Sequence, residues 1–190
     1  MNTGEEYFMA LIIIAAVAVI ALWLMTTYNG LVRLRNMMRE GWSGIDVQLK
    51  RRSDLVPNLV ETVKGYAAHE KETFQNVTNA RAAAINAGND QSARLQAENA
   101  LSGTLRSLFA VAESYPELKA NTNFLELQQQ LGTIENDIQM ARRYYNGTVR
   151  NLNTMIQKFP AVLIARHFGF TEAPFFEADE DSKQNPKVAF

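Results

Sequence analysis

From Tyr7 to Met25 the chain reads YFMALIIIAAVAVIALWLM, with no charge and no proline. Roughly nineteen residues at ~1.5 Å each make ~28 Å of helix, close to the ~30 Å hydrocarbon thickness of a bilayer. The pattern predicts one transmembrane helix over 7–28, with residues 1–6 beyond it. No other stretch of the sequence approaches this apolarity. Tyr7 lies near one end, and Trp23 and Tyr28 near the other, the levels at which amphipathic rings favour the membrane interface.

Beyond the apolar run the pattern turns helical and two-faced. Asn29-Gly30 is a candidate stop, yet helix is expected to continue through LVRLRNMMREGWSGIDVQL. Each interior glycine there costs about 1 kcal/mol against alanine. Trp42, Ile45, Leu49, Val56, Leu59, Val63 and Tyr66 fall three and four apart, with Arg52 in one slot. That is the seam of a helix packed along another helix. An arginine in a seam calls for a carboxylate from another helix, which would fix register. Asp46 and Lys50 form an i, i+4 pair in the favourable order. Pro57 either starts a new helix capped by Asp54 or kinks a continuous one. The register of the seam across it favours the kink.

The same helix is expected to run on through GYAAHEKETFQNVTNARAAA and to stop in the turn cluster at 85–90. A third helix over about 90–115 has Asp90 as its cap and Leu101, Leu105, Leu108, Ala112 and Tyr115 as its inner face. Tyr115-Pro116 breaks it, a short connector holds Leu118, and Asn121-Thr122-Asn123 supplies capping side chains. Phe124, Leu127, Leu131, Ile134, Ile138, Ala141, Tyr145, Thr148, Leu152, Met155 and Phe159 then alternate three and four apart without a break. This is about five heptads, or ~54 Å of helix. Heptads of this kind also serve intermolecular coiled coils, but the turn signals at 85–90 and 114–122 favour packing within one chain.

The fold class is therefore all-α: one N-terminal transmembrane helix and an elongated antiparallel three- to four-helix bundle over 29–167. The last segment, 168–190, changes character, mixing Phe168, Phe170, Phe175, Phe176 and Phe190 with an acidic run from Glu177 to Asp181. Disordered ends are poor in aromatics, so this tail is expected to lie on its own bundle or on a neighbouring protomer. Phe170, Phe175 and Phe176 are its candidate interaction residues.

Charge adds topology. Arg33, Arg35 and Arg39 follow the apolar run, and only Glu5 and Glu6 precede it. Basic residues stay on the cytoplasmic side, which puts the N-terminus outside and the body in the cytoplasm. A cleaved signal peptide fits poorly: its leading segment is basic, its apolar run shorter and its cleavage site small-x-small. The net charge of −1 and pI near 6.2 argue against a dedicated nucleic-acid binder. The absence of cysteine removes disulfides, thiolate nucleophiles, cysteine-ligated metals and lipoprotein acylation.

Candidate chemistry is thin. His69-Glu70-Lys71-Glu72 resembles the start of a zincin motif, but residue 73 is threonine where the second histidine belongs. His69 reads as a surface residue, and His167 stands alone in the tail. There is no nucleophile elbow and no glycine-rich phosphate loop. Lys50-Arg51-Arg52 reads as a solvated or partner-facing patch, because a continuous helix sets it ~35–40 Å from the membrane end. Arg142 and Arg143 beside Tyr144 and Tyr145 read as snorkelling around a core aromatic. No catalytic, metal or cofactor-binding residue is expected.

Three blocks together resemble the LemA family of bacterial membrane proteins: GWSGIDVQLKRRSDLVPNLVETVKGYAAHEKETF (41–74), SYPELKANTNFLELQQQLGTIENDIQMARRYYNGTVRNLNTMIQKFP (114–160) and FGFTEAPFFEADEDSKQNPKV (168–188). The resemblance implies a single-pass anchor with the N-terminus outside and a cytoplasmic body of long antiparallel helices. It implies no enzyme activity. A related branch of magnetosome membranes, associated with invagination, suggests a scaffold that organises or shapes the inner membrane. Membrane lipid, further copies of the chain and membrane-protein partners are the expected contacts. The alternative is an adaptor presenting a membrane protease or signalling complex.

Overall fold

The computed structural model describes residues 3–88 and 90–176; the acidic run at 177–181 and Phe190 lie outside the described residues. Six helices account for nearly all of it: α1 Thr3–Lys64, α2 Lys71–Asn86, α3 Gln91–Glu113, α4 Pro116–Lys119, α5 Thr122–Gln157 and α6 Ala161–His167. The described residues contain no strand, and the protein is all-α.

α1 is one helix of 62 residues that passes through Pro57. Its buried positions stay in phase on both sides of the proline: Ile45, Leu49, Arg52 and Val56 before it, Leu59 and Val63 after. Burial of that stripe outweighs the ~3 kcal/mol that an interior proline costs.

One expectation fails at 65–70. Helix was expected to run through Gly65 to Glu70, but α1 ends at Lys64 and the amides of Tyr66 and Ala67 both donate to the Val63 carbonyl. The reversal lets α2 return along α1, burying Phe74, Val77 and Ala84 in the same core as Val56 and Val63. A straight helix would have left those faces in water. Tyr66 is consequently no seam residue. It is 39% exposed, and its hydroxyl accepts a hydrogen bond from Asn121 Nδ2 at 2.9 Å.

The chain forms two compact units, each built from separated segments. The first comprises residues 3–42 and 144–175. In it α1 and α5 run antiparallel, with α6 folded against them so that Leu31, Leu152, Ile156, Ile164, Ala165 and Phe170 make a small core. At Gly41 the two long helices come close together. A β-carbon there would lie 3.2 Å from Tyr145 Cα, and Trp42 meets the Tyr145 ring edge-on at 5.5 Å.

The second unit comprises residues 43–143 together with Phe176. The end of α1, then α2, α3 and the start of α5 form an up-down-up-down bundle. Val56, Leu59, Val63, Val77, Leu101, Leu105, Leu108, Leu118, Phe124 and Leu131 share its core. Asp90 caps α3 as expected, accepting from the amides of Ser92 and Ala93. Asn121 Oδ1 accepts from Phe124 N at the head of α5. Pro116 opens the one-turn α4, which places Leu118 in the core.

The α5 seam holds from Phe124 to Tyr145 and then rotates. Val149, Asn153 and Ile156 join the buried set beside Thr148 and Leu152, while Phe159 is 76% exposed. A straight helix drifts ~20° per heptad from a 3.5-residue repeat, so a seam drawn rigidly over five heptads ends on the wrong face.

Candidate functional site

The most deeply buried charge among the described residues is Arg52, fully enclosed in the second unit. Its Nη2 donates to Glu98 Oε2 at 2.5 Å and to the Glu98 carbonyl at 3.2 Å. Its Nη1 donates to Glu135 Oε1 at 2.7 Å and to Ser102 Oγ at 2.8 Å. One guanidinium thus ties α1 to α3 and to α5, which is the carboxylate pairing that a seam arginine called for.

Burial alone pulls the Arg52 pKa down. The charge and hydrogen bond of Glu135, then those of Glu98, outweigh it and leave the guanidinium above its ordinary value. It is a permanent cation. Held by carboxylates from two other helices, the group fixes the register of α1, α3 and α5. Arg94 and Asp46 add a more exposed α3–α1 ion pair at 2.5 Å, and Arg81 Nε donates to the Ser53 carbonyl at 2.8 Å.

The first unit is fastened differently. Asn153, in the buried phase of α5, grips Ala173 through both backbone groups: Nδ2 donates to its carbonyl and Oδ1 accepts from its amide, each at 2.9 Å. The Tyr145 hydroxyl donates to the Pro174 carbonyl at 3.0 Å. Phe170 is buried under Arg35, whose guanidinium sits 4.8 Å from the ring centroid. Tyr28 packs on Phe168 at 4.7 Å and on Phe170 at 6.0 Å. The tail therefore lies on its own chain up to residue 176. In the second unit Phe176 is buried beneath Arg142 at 4.4 Å.

Of the three candidate interaction residues, Phe170 and Phe176 are consumed internally, leaving only Phe175 in solvent at 46% exposure. The membrane-level residues Tyr7, Trp23 and Tyr28 are all exposed, and Tyr28 in addition has the two ring partners just described. Arg33 and Arg39 are exposed, and Arg35 is half-buried. The seam residues Ile45, Leu49, Leu59, Val63, Phe124, Leu131, Ile138 and Leu152 are all buried.

Sequence reasoning missed α6 and the Asn153 clamp. An asparagine on the buried phase of a long amphipathic helix was the available signal for the clamp, since such an amide needs partners.

Nothing in the described residues converges on a small molecule. No three His, Asp or Glu side chains stand together as metal ligands among them. His69 and His167 are both exposed. A cleft of about 110 Å³ between Phe109, Phe124, Leu125 and Gln128 is open to solvent and well below the ~300–1,000 Å³ of ordinary ligand pockets. By contrast one helix, near the N-terminus, is long and apolar enough to cross a membrane, and none of its most apolar window is buried inside the protein.

Comparison with known proteins agrees with this geometry. The LemA family model matches residues 41–190. Protein LemA of Metamycoplasma hominis is 24% identical over 176 residues, covering 93% of this chain and 80% of the relative. Magnetosome protein MamQ 2 of Paramagnetospirillum magneticum is 26% identical over 195 residues, covering 88% and 72%. Magnetosome protein MamQ of Magnetospirillum gryphiswaldense is 24% identical over 201 residues, covering 93% and 74%. With a membrane-length helix, an all-helical body and a family match over most of its length, the chain belongs to the LemA family of bacterial membrane proteins.

Proposed function

We propose that this protein is a non-catalytic scaffold anchored in the bacterial inner membrane, which associates with further copies of itself and organises or shapes the bilayer. The observation that carries the reading is a contrast in what is left uncovered. The apolar helix from Tyr7 to Met25 is bare along its length, while the buried charge of the body is spent on its own neighbours. A chain built this way acts by contact.

Arg33, Arg35 and Arg39 support an orientation with the N-terminus outside and residues 29–190 in the cytoplasm. Tyr7 and Trp23 serve as interfacial anchors, and Tyr28 as the point where the tail meets the emerging helix. The two relatives named as magnetosome proteins support a role in a membrane-bounded assembly.

The test is crosslinking in intact cells, combined with sizing of the detergent-solubilised full chain at micromolar concentration. Homo-crosslinks and an oligomeric mass are expected. A strictly monomeric mass with stoichiometric crosslinks to other proteins would replace the scaffold with an adaptor. Release of the protein by carbonate, or digestion of its body by protease added outside cells, would overturn the anchor and the topology.

A further inference from the structure

The first unit carries an apolar surface that packing within the chain covers only in part: Phe168 meets Tyr28 yet stays more than half exposed. α5 ends at Gln157, and the chain turns at Phe159-Pro160 into α6. Phe159 is 76% exposed, Leu163 59% and Phe168 55%. The buried face of α6 is Ala161, Ile164 and Ala165. Leu163 lies on the opposite face, between Arg166 and His167 in angular position. A lone exposed leucine needs no explanation. Three large apolar side chains at one corner, flanked by Lys158 and Arg166, do.

The register of α1 against α5 places this corner. A β-carbon at Gly41 would lie 3.2 Å from Tyr145 Cα, and one at Gly30 4.0 Å from Met155 Cε. Ten residues along α5 therefore match eleven back along α1. Four residues more bring Phe159 level with about residue 26, within one turn of the end of the apolar run. Two contacts agree: Thr27 is buried, and Tyr28 packs on Phe168. The corner is continuous with the bare apolar helix.

Charge points the same way. Residues 26–42 and 144–175 carry six Lys and Arg against two acids, Glu40 and Glu172, in a chain whose net charge is −1. The basic excess suits an anionic headgroup layer.

We propose that Phe159, Leu163 and Phe168, flanked by Lys158 and Arg166, form a second membrane contact that inserts at the headgroup–acyl boundary of the leaflet from which α1 emerges, with a preference for anionic lipid. This rests on the reading of Tyr7–Met25 as membrane-spanning. Amphipathic surface elements bury their apolar side ~5–10 Å into that boundary. Basic stems beside them reach back to the phosphates. The corner would displace lipid in one leaflet only, giving the anchored body a fixed tilt and a wedge.

The absence of cysteine makes the experiment direct. Single-cysteine variants V17C, F159C, L163C and R150C of the full chain are spin-labelled. They are reconstituted in phosphatidylcholine vesicles, with and without one third phosphatidylglycerol. Power saturation with oxygen and with a nickel chelate reports depth. Val17→Cys is expected to be the most oxygen-accessible and Arg150→Cys nickel-accessible. Phe159→Cys and Leu163→Cys are expected in between, several-fold more oxygen-favoured than Arg150→Cys and deeper with phosphatidylglycerol.

If the corner labels match Arg150→Cys while Val17→Cys stays deep, the wedge is overturned and the anchor stands. If Val17→Cys is also aqueous, the anchor and the wedge fall together. Spin–spin broadening at the corner that vanishes on dilution with unlabelled protein would assign the surface to a second copy and overturn the lipid contact. Equal depth in both vesicles overturns the preference for anionic lipid.

Discussion

The two units solve the same problem, holding α1 and α5 against other elements, by different chemistry. The second surrounds one buried cation with carboxylates from two helices and fills the rest with aliphatic side chains. The first uses ring contacts, one close glycine crossing and side chains that grip the backbone of the tail. The difference is instructive about specificity. Aliphatic seams slide by a turn at small cost, whereas a buried arginine meets both acids in one register only. A tail without its own secondary structure has no seam, so its main-chain groups must be satisfied by side chains instead.

Breaking the ion cluster should have the largest effect. Arg52→Met leaves Glu98 buried and uncompensated, a change that costs about 3–5 kcal/mol in comparable pairs. Urea unfolding of the full chain in detergent should show it. Arg52→Met combined with Glu98→Leu should recover most of the loss. If the double variant is no better than the single one, the cost lies in lost packing and not in stranded charge. Because the folded pKa of Arg52 lies above its ordinary value, its contribution is complete throughout the range below that ordinary value and is lost only as pH rises through the folded one. Stability between pH 8 and 10 should therefore not fall on its account, which a comparison of Arg52 and Arg52→Met unfolding across that range will check.

The equivalent break in the first unit is smaller. Asn153→Ala removes two hydrogen bonds and strands the amide and carbonyl of Ala173, for a loss of about 2 kcal/mol. Protease cleavage near 170–176 should accelerate, while amide exchange in the Arg52 unit stays unchanged. Exchange that rises equally in both units would mean that they unfold together.

The glycines sharpen the contrast further. Gly41→Leu must push a side chain into Tyr144 and Tyr145 and should destabilise by about 1–3 kcal/mol. Gly44→Ala meets nothing within 4 Å, and should stabilise by about 1 kcal/mol through helix propensity. Opposite shifts in unfolding midpoint, three residues apart, are the expected result. Least of all, Arg94→Gln breaks a pair whose aspartate side chain is 46% exposed. It should cost under about 1 kcal/mol, and less at high salt.

How much of this was legible depended on whether a residue's role was local. The apolar helix, the α3 cap at Asp90, the break at Pro116 and the seam from Phe124 to Tyr145 follow from neighbours in sequence. Arg52 was legible as a question, because a charge in a seam demands a partner, although nothing local says that Glu98 and Glu135 supply it. The turn at Gly65–Glu70 was not legible: its residues suit helix, and only the gain from folding α2 back along α1 decides against it. α6 escaped notice because seven residues are too short for periodicity to declare.

The sequence by itself determined that this is a helical protein with a bilayer-length N-terminal helix, because apolar run length and heptad spacing are properties of the chain alone; its family was carried by the three blocks that resemble LemA proteins and by the family match. The tertiary structure alone decided where α1 stops, which acids close around Arg52, and that the tail returns to Tyr28 through Phe168 and Phe170. Those outcomes join residues far apart in the chain, and their energy comes from removing surface and charge from water together, which no single segment can do.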